Sequence, residues 1–417
     1  MQIDRRAFVA MGAVAGFAAL SPWRALAQSG ADPALSPITG DVEPIAPAEH
    51  LARVVRAQQL MREAGIGALM IEPGASMTYF TGVQWWRSER LTAAIVPVEG
   101  EPCIVTPHFE EPSVRESLKV PAEVRIWHEH VNPLDIVAGF LADRGVAGPV
   151  GVEETVRFFA TDGLRRAMPA VEIVPGAPVV RGCRMIKSAH EIALMQKASD
   201  VTIAAYRHIH PRIEAGMTPA DIEAMYVSAC LALGAQRAGG LILLGEASAY
   251  PHGSGQPQHV REGEVVLLDS GCNVHGYQSD ISRSFVYGDP NADQRRVWEQ
   301  MRRGQDIAME AAQVGRPAGS VDDAVRAYYE GLGYGPDYAL PGLSHRTGHG
   351  IGMEGHEPIN LVRGEETPLA PGMCFSNEPG IYLPGSFGIR LEDCFHMTEA
   401  GPQWFSVPPP SIDEPFG

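Results

Sequence analysis

Four acidic residues stand in apolar, strand-forming stretches of this 417-residue chain, and a histidine-rich segment lies between them. Asp269 closes the run VVLLD, and Asp280 interrupts YQSDISRSF. Glu378 follows MCFSN, and Glu392 follows GIRL. A carboxylate at the end of an apolar strand is costly unless something neutralises it. Two that face each other repel and shift each other's pKa unless a cation lies between them. A fold for this chain has to give these acids a shared positive partner.

The local pattern says how they are carried. Val265 to Leu268 reads as a strand, Asn273 to Gly276 as a turn and Tyr277 to Val286 as a second strand, which puts Asp269 and Asp280 on adjacent strands. Residues 373–395 repeat the arrangement, with a turn at Pro384 to Gly388, Glu378 in the first strand and Glu392 in the second. Between the two pairs lies HRTGHGIGMEGHE, residues 345–357. Its Gly350, Gly352 and Gly355 spell G-x-G-x-x-G, but a dinucleotide loop needs a strand before and a helix after. Pro341-Gly342 spoils the strand, and Glu357-Pro358 blocks the helix. A helical zinc motif through His345 and His349 fails too. Each glycine costs about 1 kcal/mol in a helix, and Arg346 stands where the general-base glutamate belongs. What remains is a glycine-rich extended or looped segment whose histidines point into a site.

Asp269, Asp280, His349, Glu378 and Glu392 together offer four carboxylates and one imidazole. That is too much negative charge for one divalent ion and suits two. With no thiolate, the set favours Mn, Co, Zn or Fe(II) over a closed structural zinc site. Two such ions about 3.5–4 Å apart can share a hydroxide and polarise a carbonyl, so the implied chemistry is metal-assisted hydrolysis. A serine nucleophile has less support, because Ser254 lacks the G-x-S-x-G setting.

The rest of the chain frames this centre. Residues 1–27 carry the pair Arg5-Arg6, an apolar stretch and an A-x-A site at Ala25–Ala27, which together read as a twin-arginine export signal. A periplasmic or secreted protein, free of the membrane after cleavage, is expected. Residues 28–47 are rich in Pro, Gly and Ser and read as a flexible leader. Residues 48–183 alternate helical and strand patterns, with a hairpin over 91–107, and form an α/β domain. Trp85 and Trp86 read as part of its core. A second domain, 184–417, opens with a long helix over 188–213. Within it, 214–235 and 313–334 share a turn, an acidic helix start and an amphipathic helix, as expected of two related halves. The net charge of −17 argues against nucleic acid or an anionic membrane as partner. The six cysteines are scattered without a CxxC and are expected as buried thiols.

The stretches PHGSGQ, LLDSGCNVHGYQSDISRSF, HRTGHGIGMEGHE, SNEPGIY and IRLED, within residues 251–393, resemble the pita-bread metallopeptidase family. Within it they are most similar to the Xaa-Pro dipeptidase (prolidase) and Xaa-Pro aminopeptidase branch. RMIKSAHEI (184–192) resembles that family's entry into its catalytic domain, and MTYFTGV, less distinctively, its N-terminal domain. The resemblance implies an α/β creatinase/prolidase-like N-terminal domain and an α+β pita-bread catalytic domain with pseudo-two-fold symmetry. It implies two divalent ions, Mn first, with Asp269 chelating one, His349 and Glu378 the other, and Asp280 and Glu392 bridging. Substrate-facing roles fall to His252, His345, His356 and Arg390, the last binding a substrate carboxylate or organising the site. The implied reaction cleaves the Xaa-Pro bond of dipeptides or short peptides, in a homodimer. The alternatives are a metal-dependent relative acting on a non-peptide amide or related small molecule, and a metal-free binding protein.

Overall fold

The computed structural model describes residues 34–416, so the expected export signal lies outside the described residues. Helix α1 (Pro47–Ala64) starts where Glu49 reaches back to the Ala46 N–H at 2.9 Å. It stops at Gly65, whose φ of 68° is a left-handed value that glycine takes without a Cβ penalty. The chain continues through β1 (Ala68–Ile71), α2 (Ala75–Thr81), β2 (Ala93–Pro97), β3 (Cys103–Pro107), α3 (Glu111–Ser117) and β4 (Glu123–Trp127). It completes the N-terminal half with α4 (Pro133–Asp143), β5 (Val150–Val152), α5 (Phe158–Ala167), β6 (Ile173–Pro175) and α6 (Ala177–Arg184). The six strands form one mixed sheet in the order β4-β3-β2-β1-β5-β6, and β2 and β3 pair antiparallel as the hairpin pattern requires. Apolar clusters cover both faces of the sheet.

The second half begins with α7 (Ala189–Ile209), capped by Ser188 and Glu191, and α8 (Pro219–Ala232), capped by Thr218. Strands β7 (Arg237–Leu244), β8 (Val265–Val274), β9 (Tyr277–Gln278) and β10 (Ile281–Val286) follow, in a sheet ordered β10-β8-β7 with β9 on β8. A second long helix, α9 (Ala292–Ala311), and then α10 (Gly319–Gly331) repeat the pattern. They lead into β11 (Gly348–Gly350), β12 (Glu357–Leu361), β13 (Cys374–Asn377), β14 (Ile381–Leu383), β15 (Phe387–Ile389), β16 (Asp393–Thr398) and β17 (Gly401–Trp404). Both copies of the sequence repeat are thus second helices, α8 and α10, each between a long helix and a sheet. A single bridge, Ser282 to Glu392, joins the two sheets beside the acids. All six cysteines are buried and free. No helix among the described residues is long and apolar enough to cross a membrane.

Four details differ from the sequence reading. The leader is docked from Leu35 onward: Leu35, Val42 and Ile45 pack on the core of the second half, Ile38 N–H donates to Leu233 O at 2.9 Å, and Lys197 pairs with Asp41 at 2.9 Å. Its spaced apolar residues find an apolar surface that composition does not reveal. The strand expected over 277–286 breaks at Ser279–Asp280, between β9 and β10. Residues 373–395 do not make one hairpin. β13 and β16 pair in the five-stranded sheet, while β14 and β15 form a separate hairpin whose tight turn serves only those two. Trp86 is 66% exposed and stacks on Trp85 rather than joining the core.

A buried charge cluster ties the two halves together. Glu357 accepts from Lys187 at 2.9 Å and from Arg184 at the end of α6, while Arg184 also reaches Ser76 Oγ at 2.9 Å. Burial alone would raise the Glu357 pKa, but Lys187 and Arg184 outweigh it and hold the carboxyl at about 2. Because its folded pKa lies below its ordinary 4.5, this stabilisation is full above that value and is lost as pH falls from there toward 2. Glu357→Gln strands the buried Lys187, while Arg184 keeps Glu354 at 2.8 Å, and is expected to cost about 3 kcal/mol in denaturant unfolding at neutral pH. The same variant should lose less stability than the parent between pH 5 and pH 3.

Candidate active site

Three of the four acids sit where a strand stops or breaks, and the fourth lies inside one. Asp269 is within β8, Asp280 in the gap before β10, Glu378 one residue past β13 and Glu392 one residue before β16. At a strand end or break a side chain is free to turn out of the pleat, whereas Asp269 reaches the site from the face of β8. Histidine 349 enters the site from β11, which threads between β12 and β13. Glycines flank it because the backbones are too close for a side chain. A Cβ at Gly348 would meet Ser376 O at 2.1 Å, and one at Gly350 would meet Glu357 O at 2.6 Å.

Three of the expected ligands converge on one point. Ligand atoms of Asp280, His349 and Glu392 all lie within 4.8 Å of one another. His349 Nε2 is 3.2 Å from Glu378 Oε1 and 3.9 Å from both Asp280 Oδ2 and Glu392 Oε1. The imidazole Nδ1 lies 3.0 Å from Gly350 O, which can only accept, so Nδ1 carries the proton and Nε2 faces the acids. Asp269 stands apart, its Oδ2 accepting from Arg390.

The electrostatics of this cluster call for a cation. Burial, and then the repulsion of Asp269, pushes the Asp280 carboxyl up. Burial, and then Asp280, Glu378 and Asp269, does the same to Glu392. Glu378 goes the other way: burial would raise it, but the His349 hydrogen bond and charge outweigh that and hold it down. Glu392 Oε1 is buried with no hydrogen-bond partner, an uncommon state for a carboxylate oxygen. Oxygen-rich donors, an orphaned buried oxygen and an imidazole nitrogen aimed at them fit a divalent ion.

The remaining expected residues line the approach. His356 is stacked edge-on to His349, ring centres 4.1 Å apart, and burial and then His349 hold its pKa below the usual histidine range. His345 Nδ1 lies 2.8 Å from the Arg346 carbonyl, so it donates there and Nε2 accepts from Tyr382 Oη at 2.7 Å. Both His345 nitrogens are therefore held by protein. Arg390 is 3% exposed and spends its donors on Ser282 Oγ, Pro251 O, Tyr382 Oη and Asp269. Of the two roles expected for it, these contacts serve organisation of the site. His252 lies on an exposed loop and makes no hydrogen bond among the described residues.

Comparison with known proteins gives this geometry a family. The model of metallopeptidase family M24 matches residues 193–399, and that of the creatinase/prolidase N-terminal domain matches residues 53–186. A probable dipeptidase PepE of Mycobacterium bovis is 33% identical over 371 residues, covering 84% of this chain and 93% of the relative. The chain belongs to metallopeptidase family M24. The crystal structure of dipeptidase PepE from Mycobacterium ulcerans matches this M24 fold with a TM-score of 0.80 at 31% identity, covering 88% of this chain and 98% of that one. An Xaa-Pro dipeptidase of Pyrococcus furiosus is 29% identical over 356 residues, covering 85% of this chain and 96% of the relative. The protein is a metal-dependent peptide hydrolase, built from a creatinase-type N-terminal domain and a pita-bread catalytic domain.

Several residues that hold this M24 site in place escaped the sequence reading. Arg283 and Asp393, both fully buried, form a two-pronged pair at 2.7 and 3.1 Å, and Arg283 also donates to the Glu392 carbonyl at 3.0 Å. The signal was present: an arginine inside the apolar run ISRSFV is as anomalous as the acids. Asp322 of α10 accepts from Thr347 Oγ1 at 2.7 Å and from Arg326 Nε at 2.8 Å, and Arg326 donates to the Leu343 carbonyl at 3.0 Å. This pair aims the segment that delivers His345 and His349. On sequence it looks like an ordinary i, i+4 surface pair, so nothing local marked it.

Glu392→Gln removes one of the crowded charges at nearly constant shape. The metal-free variant is expected to melt about 2–4 °C above the metal-free parent, the shift that about 1 kcal/mol gives a domain of 150–250 residues. The further rise in Tm expected for the parent on adding a divalent metal salt should be absent in the variant. A metal-free variant less stable than its parent would show that repulsion among these carboxylates is not what strains the cluster.

Proposed function

We propose that this M24 enzyme is a dinuclear-metal peptidase that cleaves the Xaa-Pro bond of dipeptides or short peptides. The observation that carries the reading is the convergence of Asp280, His349 and Glu392, with Glu378 against His349 and Asp269 on the neighbouring strand β8. That is more carboxylate than one divalent ion needs. In this reading Asp269 and Asp280 hold one ion, His349 and Glu378 belong to the other, and Asp280 and Glu392 serve both. Manganese suits so hard a donor set. When bound, the ions supply a nucleophile from water at neutral pH and Lewis-acid polarisation of the scissile carbonyl.

The chain's own groups do the rest. His356, kept neutral by burial and by His349, is free to take a proton and return it to the leaving nitrogen. On one flank Arg390, Tyr382 and His345 form a fixed chain of donors and acceptors, Arg390 N–H to Tyr382 Oη at 3.0 Å and Tyr382 O–H to His345 Nε2 at 2.7 Å. Its ring faces offer a rigid apolar wall for the residue after the cut bond. A proline there fits such a wall, since an Xaa-Pro amide has no N–H that would need an acceptor. The relatives named as dipeptidase and Xaa-Pro dipeptidase support this substrate class. Homodimer assembly and export by the twin-arginine route belong to the same proposal and rest on the resemblance and on residues 1–27.

The test is hydrolysis of matched Xaa-Pro and Xaa-Ala dipeptides and tripeptides by metal-stripped protein reloaded with Mn²⁺, Co²⁺ or Zn²⁺. Proline-dependent cleavage that returns only with metal, at two ions per chain, is expected. Two bound ions without cleavage of any peptide would move the substrate to non-peptide amides, and one ion per chain would overturn the dinuclear reading. His356→Ala is expected to lower kcat by about 10²–10⁴-fold while leaving metal stoichiometry intact.

A further inference from the structure

An open cavity of about 420 Å³ lies on the other flank, between α8 and β7, and of its lining residues only His252 was expected to face substrate. Its floor includes Leu241 and Leu243 of β7, and its rim is the loop that carries His252. The loop lies directly over the leucines: a Cβ at Gly253 would come 3.0 Å from Leu243 Cδ2 and 3.5 Å from Leu241 Cδ1. The cavity is within reach of the metal-binding acids. Leu241 is the cross-strand partner of Asp269, which places the two strands about 4.8 Å apart. Pro251, next to His252, accepts from the same Arg390 that holds Asp269.

The one acid or base of fixed charge in the lining is Glu223, from the second turn of α8. Its Oε1 accepts from the Gly240 N–H at 3.4 Å and would lie 3.9 Å from a Cβ at Gly239, so the carboxylate rests over a stretch of β7 that has no side chains. Glu223 forms no ion pair among the described residues, although this acidic chain pairs many of its other carboxylates. A groove with an aliphatic floor and a half-buried, unpaired carboxylate at its wall matches one kind of side chain. That side chain has a long methylene stem and a cationic head.

We infer that this cavity receives the side chain of the residue before the scissile bond, and that Glu223 selects a basic residue, arginine or lysine, at that position. The assignment to a side of the bond rests on the peptidase reading above. The Tyr382–His345 wall takes the residue after the cut, which leaves the His252 flank to the residue before it. The volume suits a single extended side chain and lies within the ordinary range of small-molecule pockets. The same carboxylate disfavours an acidic residue there.

The test compares Arg-Pro, Lys-Pro, norleucyl-Pro and Glu-Pro as substrates of the manganese-loaded full chain and of Glu223→Gln and Glu223→Lys. In the parent, kcat/KM for Arg-Pro and Lys-Pro should exceed that for norleucyl-Pro by about tenfold, equivalent to ~1.4 kcal/mol. The ratio should fall toward one in Glu223→Gln, and Glu223→Lys should shift preference toward Glu-Pro. Calorimetric binding of L-arginine and L-norleucine to the same proteins gives a readout that needs no turnover. Arginine should bind the parent more tightly than norleucine, and the difference should vanish in Glu223→Gln. Cleavage of all four dipeptides without a basic preference, or a preference that survives Glu223→Gln, overturns this inference and leaves the peptidase reading standing. No cleavage together with a Glu223-dependent preference for arginine keeps the cavity assignment and removes the peptidase reading. No cleavage and no preference overturns both.

Discussion

Carboxylates forced together away from water are the constraint on which this structure depends. Asp280 and Glu392 reach the same point as His349, and although Ser282 Oγ donates to Glu392 Oε2 at 2.8 Å, Glu392 Oε1 has no hydrogen bond at all. Left alone, such a cluster would open, or protonate, because burial and mutual repulsion push both pKa values up. The surrounding scaffold prevents the first escape. The two sheets meet at the Ser282–Glu392 bridge, and the Arg283–Asp393 pair fixes the backbone on either side of it. The folded chain thus stores an electrostatic strain that a divalent cation relieves, and affinity for metal is the other face of that strain.

Positioning is shared among elements far apart in sequence. Asp322 and Arg326 belong to α10, yet they hold the segment that delivers His345 and His349. Arg390 touches a loop, a hairpin, a strand and a ligand at once. Rigid placement of this kind lets a site act without reorganising during reaction, where most of the cost of polar catalysis in water lies. It also explains why the two sequence repeats become the second helices of the two halves. Helix α10 carries Asp322 and Arg326 toward the ligands, while α8 carries Glu223 to the open flank.

The candidate ligands stood out in the sequence because they broke a local rule. A carboxylate in an apolar strand has no bland explanation once four occur together, and a glycine-flanked histidine in an extended segment points the same way. Helix limits were legible where a cap wrote them, at Ser188, Thr218 and Gly65. Strand limits were not. The sequence alone does not show that the strand breaks at Ser279–Asp280, or that β14–β15 leaves the larger sheet, since both depend on which partner strand each segment meets. For the same reason the docking of Leu35, Val42 and Ile45 and the exposure of Trp86 were missed. An apolar side chain does not say which surface it will find.

The division of labour inside the site follows from what a metal centre is able to distinguish. A divalent metal held at the Asp280, His349 and Glu392 cluster would polarise one carbonyl much as another, and so would carry rate and little selectivity. Selectivity has to come from groups outside the metal cluster, and the structure offers two that differ in kind. The Tyr382–His345 wall is saturated with internal hydrogen bonds and rewards shape. The α8–β7 cavity holds an unpaired carboxylate over an aliphatic floor and rewards charge. A side chain of the wrong charge would leave that carboxylate unpaired, so the charged side would discriminate among residues before the cut. A peptidase built this way would require a fitting shape, that of proline, after the cut and would favour a basic charge before it.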